Sequence, residues 1–270
     1  RVIWSDSIPS KTTYSVVYLH GFSASPAENE SLYTNFSKRY KTNLFAPRLF
    51  EHGLNNKEPL LNFTGQGYLN SCKKALAIGK KMGEKVILIC TSTGATTGLY
   101  LAANHPSIEA LILVSPNIDI YDSTSNLLTK PWGKQILKAV MGGNYQTWQP
   151  PIGADKYWYG KYRIEAILEL KALLQATMKK ETFKKIKQPF FMGYYYKNEE
   201  EQDKTVSVKR MLEMYDQTAT PLNLKVKKAF PDAKNHSLAS RFFNPDYLEV
   251  QKEIFEFTEK SLNIQPQTNE

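Results

Sequence analysis

Cysteine is scarce in this chain of 270 residues: there are two, Cys72 and Cys90. Two are too few for a disulfide framework, and neither stands in a CxxC or other metal-ligand spacing. Cys72 shares a helical stripe with Leu69, Leu76 and Gly79, and Cys90 closes an apolar run, so both are expected as free, buried thiols. Long apolar runs are missing too. None approaches the ~20 residues of a membrane helix, so no transmembrane segment is expected. Gly and Pro number 14 each, while 41% of residues are apolar and 12% aromatic. That balance excludes collagen-like, low-complexity and disordered chains. No signal peptide is legible and the chain opens at Arg1 rather than Met, which leaves a soluble protein either exported after trimming of a leader or cytoplasmic.

Charge is present in excess of one sign, 35 Lys and Arg against 26 Asp and Glu, a net +9. The lysines cluster once, in Lys179-Lys180 and Lys184-Lys185-Ile186-Lys187. No zinc-finger spacing, nucleic-acid signature or basic heptad accompanies them, so the cluster reads as a solvated face and no nucleic-acid partner is expected.

Buried strand-like runs alternate with helical patterns: Val16–Leu19, a helix at 28–40, Asn43–Ala46, a helix at 64–82, Val86–Cys90, an Ala- and Gly-rich helix at 93–104, and Ala110–Val114. Fully apolar runs of this kind fit strands covered on both faces, hence a parallel sheet. The alternation lapses over 117–188, where Trp132, Tyr145, Trp148, Tyr157, Trp158, Tyr159 and Tyr162 gather and a helix is expected around 163–178. It resumes with a strand at 189–193, a helix from about 205, a strand at 223–230, and a helix capped by Asn244 and Pro245 with Leu248, Ile254 and Phe255 inward. The expected architecture is one α/β domain, 1–116 with 189–262, carrying an inserted segment at 117–188 and a frayed tail at 263–270.

In an open parallel sheet, ligands collect beyond the carboxyl ends of the strands. After 86–90 comes Cys90-Thr91-Ser92-Thr93-Gly94 and then a helix. Ser92 fits either an ordinary helix N-cap or a nucleophile on a sharp strand-to-helix turn, which demands small residues two before and two after it. His20-Gly21-Phe22 follows the first buried strand, where the Phe22 N–H, with that of Thr93, can face the hydroxyl and form an oxyanion hole. Four histidines are present. His20 and His52 suit structural roles and His105 a helix C-terminus. His236 alone follows both Ser92 and a strand end, as a base should. The acid belongs between the strand at 189–195 and the next helix. Asp203 is preferred because Asp203-Lys-Thr-Val206 leads straight into that helix, with Glu199, Glu200 and Glu201 as alternatives.

With these residues in place the chain resembles the α/β-hydrolase superfamily, above all its carboxylesterase and monoacylglycerol-lipase-like branch. The resemblance is carried by His20-Gly21-Phe22-Ser23, Ala46-Pro-Arg-Leu49 with Glu51-His52-Gly53, Cys90–Gly94, Val114-Ser-Pro116, Asp203–Val206 and Asn235-His236-Ser237, in the family's Ser–Asp–His order. It implies a mostly parallel central sheet with helices on both faces, with 117–188 in the place of the variable lid. Two departures stand out: Cys90 where glycine is usual, and a long Tyr194–Gln202 stretch before Asp203.

The resemblance implies a serine hydrolase acting on a small-molecule carboxylic ester with a small or medium apolar acyl group. Ser92, His236 and Asp203 would form the triad, with Phe22 and Thr93 N–H at the oxyanion and no cofactor or metal. A thioesterase, peptidase or acyltransferase on the same residues, or a non-catalytic binding protein of the same fold, is the alternative. The sequence leaves oligomeric state open.

Overall fold

The computed structural model describes residues 1–267. Its strands are β1 (Val2–Ile3), β2 (Thr12–Leu19), β3 (Asn43–Phe45), β4 (Gly83–Thr91), β5 (Ile108–Val114), β6 (Tyr145–Thr147), β7 (Lys161–Arg163), β8 (Phe190–Tyr194) and β9 (Lys225–Ala229). Its α-helices are α1 (Glu30–Arg39), α2 (Gly65–Met82), α3 (Thr93–Asn104), α4 (Gly133–Val140), α5 (Glu165–Thr177), α6 (Lys180–Phe183), α7 (Val208–Gln217) and α8 (Tyr247–Ser261). Seven strands make one sheet in the order β1-β3-β2-β4-β5-β8-β9. Every pairing in it is parallel except β1 against β3.

The two-residue period of a strand sends neighbouring side chains to opposite faces, and here both faces are covered. Val17, Leu19, Leu88, Leu111 and Met192 join one apolar cluster with Leu69 and Cys72 of α2, Leu99 of α3 and Met211 of α7. Val16, Tyr18, Ile89, Ile112 and Phe191 join a second with Leu32 and Phe36 of α1 and Val250 and Ile254 of α8. This double burial is why the central strands read as unbroken apolar runs. Both cysteines are free and buried within the first cluster.

The segment 117–188 lies between β5 and β8 and holds α4, the antiparallel pair β6–β7, α5 and α6. Its later part is built into the main core, through Ala166, Leu170 and Leu174 of α5 and Phe183 of α6. The five lysines of the 179–187 cluster are exposed, while Phe183 and Ile186 between them are buried.

The start of α8 differs from expectation. The helix begins at Tyr247 after Asp246. Asn244 instead builds the preceding turn, its amide donating to Leu238 O at 2.6 Å and its side-chain oxygen accepting from Asp246 N–H at 3.0 Å. Of the three residues expected inward, Ile254 is buried and Phe255 packs partly buried against the second cluster, but Leu248, six residues before Ile254 and so on a different face of the helix, is 57% exposed. Over 263–267 the chain is tied down rather than frayed: Ile264 is buried, and Gln267 N–H donates to Arg39 O at 2.9 Å. Residues 268–270 of the expected tail lie outside the described residues. Among the described residues no helix is long and apolar enough to cross a membrane.

Candidate functional site

Ser92 stands between the end of β4 and the start of α3 with φ 51° and ψ −117°, a conformation that L-residues rarely adopt. Its side chain makes no capping hydrogen bond to the helix. The turn is held through its backbone. Ser92 N–H donates to Val114 O at 3.0 Å, and Ser92 O accepts from Ala95 and Asn117 N–H at 2.9 and 3.1 Å. The two small positions around the serine have distinct causes. A Cβ on Gly94 would meet Leu19 O at 2.1 Å, so only glycine lets α3 pass this close to β2. Cys90 points at Gly98, whose own Cβ would stand 2.7 Å from Cys90 Sγ. The departure from glycine at 90 is thus accommodated by a glycine one turn further along α3.

His236 lies in the loop after β9, where its Nδ1 is 2.6 Å from Asp203 Oδ2. Asp203 is 1% exposed, and its other oxygen accepts from Thr205 and Val206 N–H at 2.8 and 3.2 Å. The long stretch before it is a closed excursion. Tyr196 bridges Gln202, Lys197 N–H donates to Glu201 O at 2.9 Å, and Asp203 N–H returns to Tyr195 O at 3.2 Å. Asp203 therefore sits beside the end of β8 despite its distance in sequence. Glu199, Glu200 and Glu201 are exposed on the excursion. Burial works against the charged form of His236, but the Asp203 carboxylate prevails, helped by Glu28, so its pKa lies above the ordinary 6.5. The backbone of the histidine is anchored as well, since Ser115 Oγ donates to His236 O at 2.6 Å.

The loop after β2 is clamped at three successive peptides. Gly21 N–H donates to Glu28 Oε2 at 2.8 Å, Gly21 O is 2.9 Å from His20 Nδ1, and Ser23 N–H donates to His52 Nε2 at 3.0 Å. Each imidazole also meets a second backbone group, Leu49 N–H for His20 and Phe50 O for His52. These bonds use one ring nitrogen as donor and the other as acceptor, which requires neutral rings. Burial lowers both pKa values, that of His52 to about 4. Among the described residues no hydrogen bond takes up the N–H of Phe22 or that of Thr93. Two backbone donors flank the serine turn without partners.

Ser92, Thr93, Phe22, Asp203 and His236 all line one cavity of about 730 Å³. Of the aromatic residues in 117–188, Trp148, Trp158 and Tyr162 line it, as does Met141. Trp132 is 73% exposed and Leu127 49%, and neither lines the cavity. His105 lies at the end of α3, away from the cavity lining. Two contributors escaped the sequence reading. Ser115 was legible only as part of a motif, and Glu28, a buried carboxyl lining the cavity, lies within the short turn Pro26–Asn29 with no signal of its own.

The sequence matches no protein-family model and no curated protein at a significant level. Its architecture does match solved structures. One is a metagenome-derived lipolytic enzyme of the LipS and LipT pair, 14% identical, with a TM-score of 0.76 over 96% of this chain and 97% of that one. A second is the Paleococcus ferrophilus monoacylglycerol lipase, 14% identical, at 0.66 over 90% and 93%. Est1E from Butyrivibrio proteoclasticus, with ferulic acid bound, is 14% identical at 0.62 over 97% and 94%. The chain has the α/β-hydrolase fold: a mostly parallel seven-stranded sheet with helices on both faces.

Proposed function

We propose that this chain is a serine hydrolase that cleaves a carboxylic ester with a small or medium apolar acyl group. The observation that carries the reading is the 2.6 Å bond between His236 and Asp203 on the same cavity as the strained Ser92 turn. A carboxylate on Nδ1 fixes the tautomer that leaves Nε2 unprotonated and basic.

In the proposed reaction Nε2 of His236 takes the Ser92 hydroxyl proton as Oγ bonds to the ester carbonyl carbon. The carbonyl electron pair moves onto oxygen, held by Phe22 and Thr93 N–H, each donor worth roughly 3 kcal/mol to that state. Collapse expels the alcohol, which takes the proton from His236. Water then repeats the sequence on the acyl-enzyme, releasing the acid and freeing Ser92. Residues 117–188 act as the lid, with Trp148, Trp158 and Tyr162 forming apolar wall for the acyl group.

The test is a panel of nitrophenyl esters of increasing acyl length, run on wild type and on Ser92→Ala, with a fluorophosphonate label on the wild type. Labelling at Ser92 and loss of hydrolysis in Ser92→Ala are expected. Turnover that survives the substitution excludes Ser92 as the nucleophile, and folded protein that refuses the label points to a binding protein. Esters turned over no faster than matched thioesters or anilides move the substrate class to those leaving groups.

A further inference from the structure

The proposed triad and its oxyanion donors leave one buried carboxyl on the cavity without a task. Glu28 sits in the single turn Pro26–Asn29 before α1, 3% exposed, yet it lines the cavity with Ser92 and His236. Its Oε2 accepts from Gly21 N–H at 2.8 Å and from the Tyr18 hydroxyl at 2.9 Å. Its Oε1 has no hydrogen-bond partner among the described residues. A Cβ on Gly21 would stand 3.0 Å from Oε1 and 3.3 Å from Ser92 Cβ, so a glycine's missing side chain is all that separates the carboxyl from the serine. The same cluster reaches the residue before Ser92: the Tyr18 hydroxyl is 3.2 Å from Thr91 Oγ1, which accepts from Asn29 Nδ2 at 2.8 Å.

We propose that Glu28 is a positioning residue acting through His236: a second carboxylate, fixed beside Ser92 by Gly21 and Tyr18, that stabilises the imidazolium formed when Ser92 gives up its proton. The proposal rests on the serine-hydrolase reading for its catalytic meaning, but not for its electrostatics. A carboxyl kept from water would need donors to remain charged, and Oε2 has two. Burial raises the Glu28 pKa above its ordinary value, and Gly21 N–H, the Tyr18 hydroxyl and His236 offset that rise only in part. Reciprocally, Glu28 adds to the upward push that Asp203 exerts on His236. Tyr18 on β2 and Tyr68 on α2 are held neutral by burial, and Tyr162 and Tyr195 also line the cavity. Lys204 and Lys234 line the same cavity and are exposed.

The test is the titration of His236 by NMR and the pH profile of kcat/KM, in wild type, Glu28→Gln and Tyr18→Phe. Gln keeps an acceptor for Gly21 and Tyr18 while removing the charge. In Glu28→Gln the His236 midpoint should fall by about half to one unit, and kcat/KM on the plateau should drop about 3- to 10-fold, as expected for one nearby charge. Tyr18→Phe removes one donor, favours neutral Glu28, and should move both readouts the same way by less. An unshifted NMR midpoint in a folded Glu28→Gln overturns the proposal, even where activity falls, because loss through the Gly21 loop alone leaves the midpoint in place. An unshifted midpoint in Tyr18→Phe, with Glu28→Gln unfolded, does the same. Failure of the hydrolase reading is seen separately: wild type then takes no fluorophosphonate, while the NMR comparison still decides the electrostatics.

Discussion

Gly94 and Leu19 come so close that a Cβ on the glycine would stand 2.1 Å from the leucine carbonyl oxygen and 2.7 Å from that of His20. This contact seats the first turn of α3 against the end of β2, and so sets the Ser92 turn beside the loop carrying Phe22. The obstructing atoms are backbone and cannot rotate away. Gly94→Ala should cost about 3 kcal/mol or more, beyond ordinary overpacking. Urea denaturation measures it, and a variant within about 0.5 kcal/mol of wild type contradicts the contact. Cys90→Ala, four residues earlier, should cost only about 1 kcal/mol, because it removes one sulfur from a site bordered by Gly98.

The clamp on the loop after β2 makes a prediction about acid. His52 binds no proton in the native state until the pH falls to about 4, whereas the unfolded residue binds one near 6.5. The unfolded state therefore holds more protons in that window, so stability falls as pH drops from 6.5 towards 4. Its loss is about 3 kcal/mol for this fully buried group. Denaturation at a series of pH values should show a flatter acid limb in His52→Gln than in wild type. Parallel limbs contradict a neutral His52.

The central alternation of strand and helix was legible because parallel strands buried on both faces must be apolar throughout, as Val86–Cys90 and Ala110–Val114 are. The loops after those strands were legible for a related reason: few residue types tolerate the backbone of Ser92 or the approach at Gly94. Asp203 was harder. Its place depends on a bridge between Tyr196 and Gln202 that closes the excursion, and no local pattern encodes that pairing. Glu28 was invisible, since one acidic residue in a polar stretch looks solvated until the fold buries it beneath Gly21. The start of α8 was missed because Asn244 spends its side chain on the turn at Leu238 instead of capping the helix.

The pairing of His236 with Asp203 fixes the direction of the pH profile. The proposed base works only when neutral, and its pKa lies above 6.5. Activity should therefore fall as pH drops, with a midpoint above 6.5. The same raised pKa stabilises the fold at low pH, an effect lost as pH rises through the native value. Asp203→Asn should lower the midpoint and cut kcat by about 10³- to 10⁴-fold, since the wrong tautomer is then favoured. Glu200→Gln, on the exposed excursion, should leave both within about twofold of wild type, as surface changes usually do. A profile that collapses in the glutamate variant and survives in Asp203→Asn assigns the acid elsewhere.

Trp148 and Tyr162 lie on the 117–188 segment and line the cavity, while Trp132 on the same segment is 73% exposed. If the segment is the lid that reads the acyl group, the first two should set chain-length preference and the third should not. Trp148→Ala removes apolar wall, so longer acyl esters should gain relative to short ones. Each methylene that finds apolar contact is worth about 0.8 kcal/mol, a few-fold in kcat/KM. Trp132→Ala should leave the ratio of long to short esters unchanged. The discriminating measurement is that ratio in each variant, not absolute rate, because loosening the lid slows every ester alike. A ratio that moves with Trp132 and not with Trp148 or Tyr162 places acyl recognition outside this cavity wall.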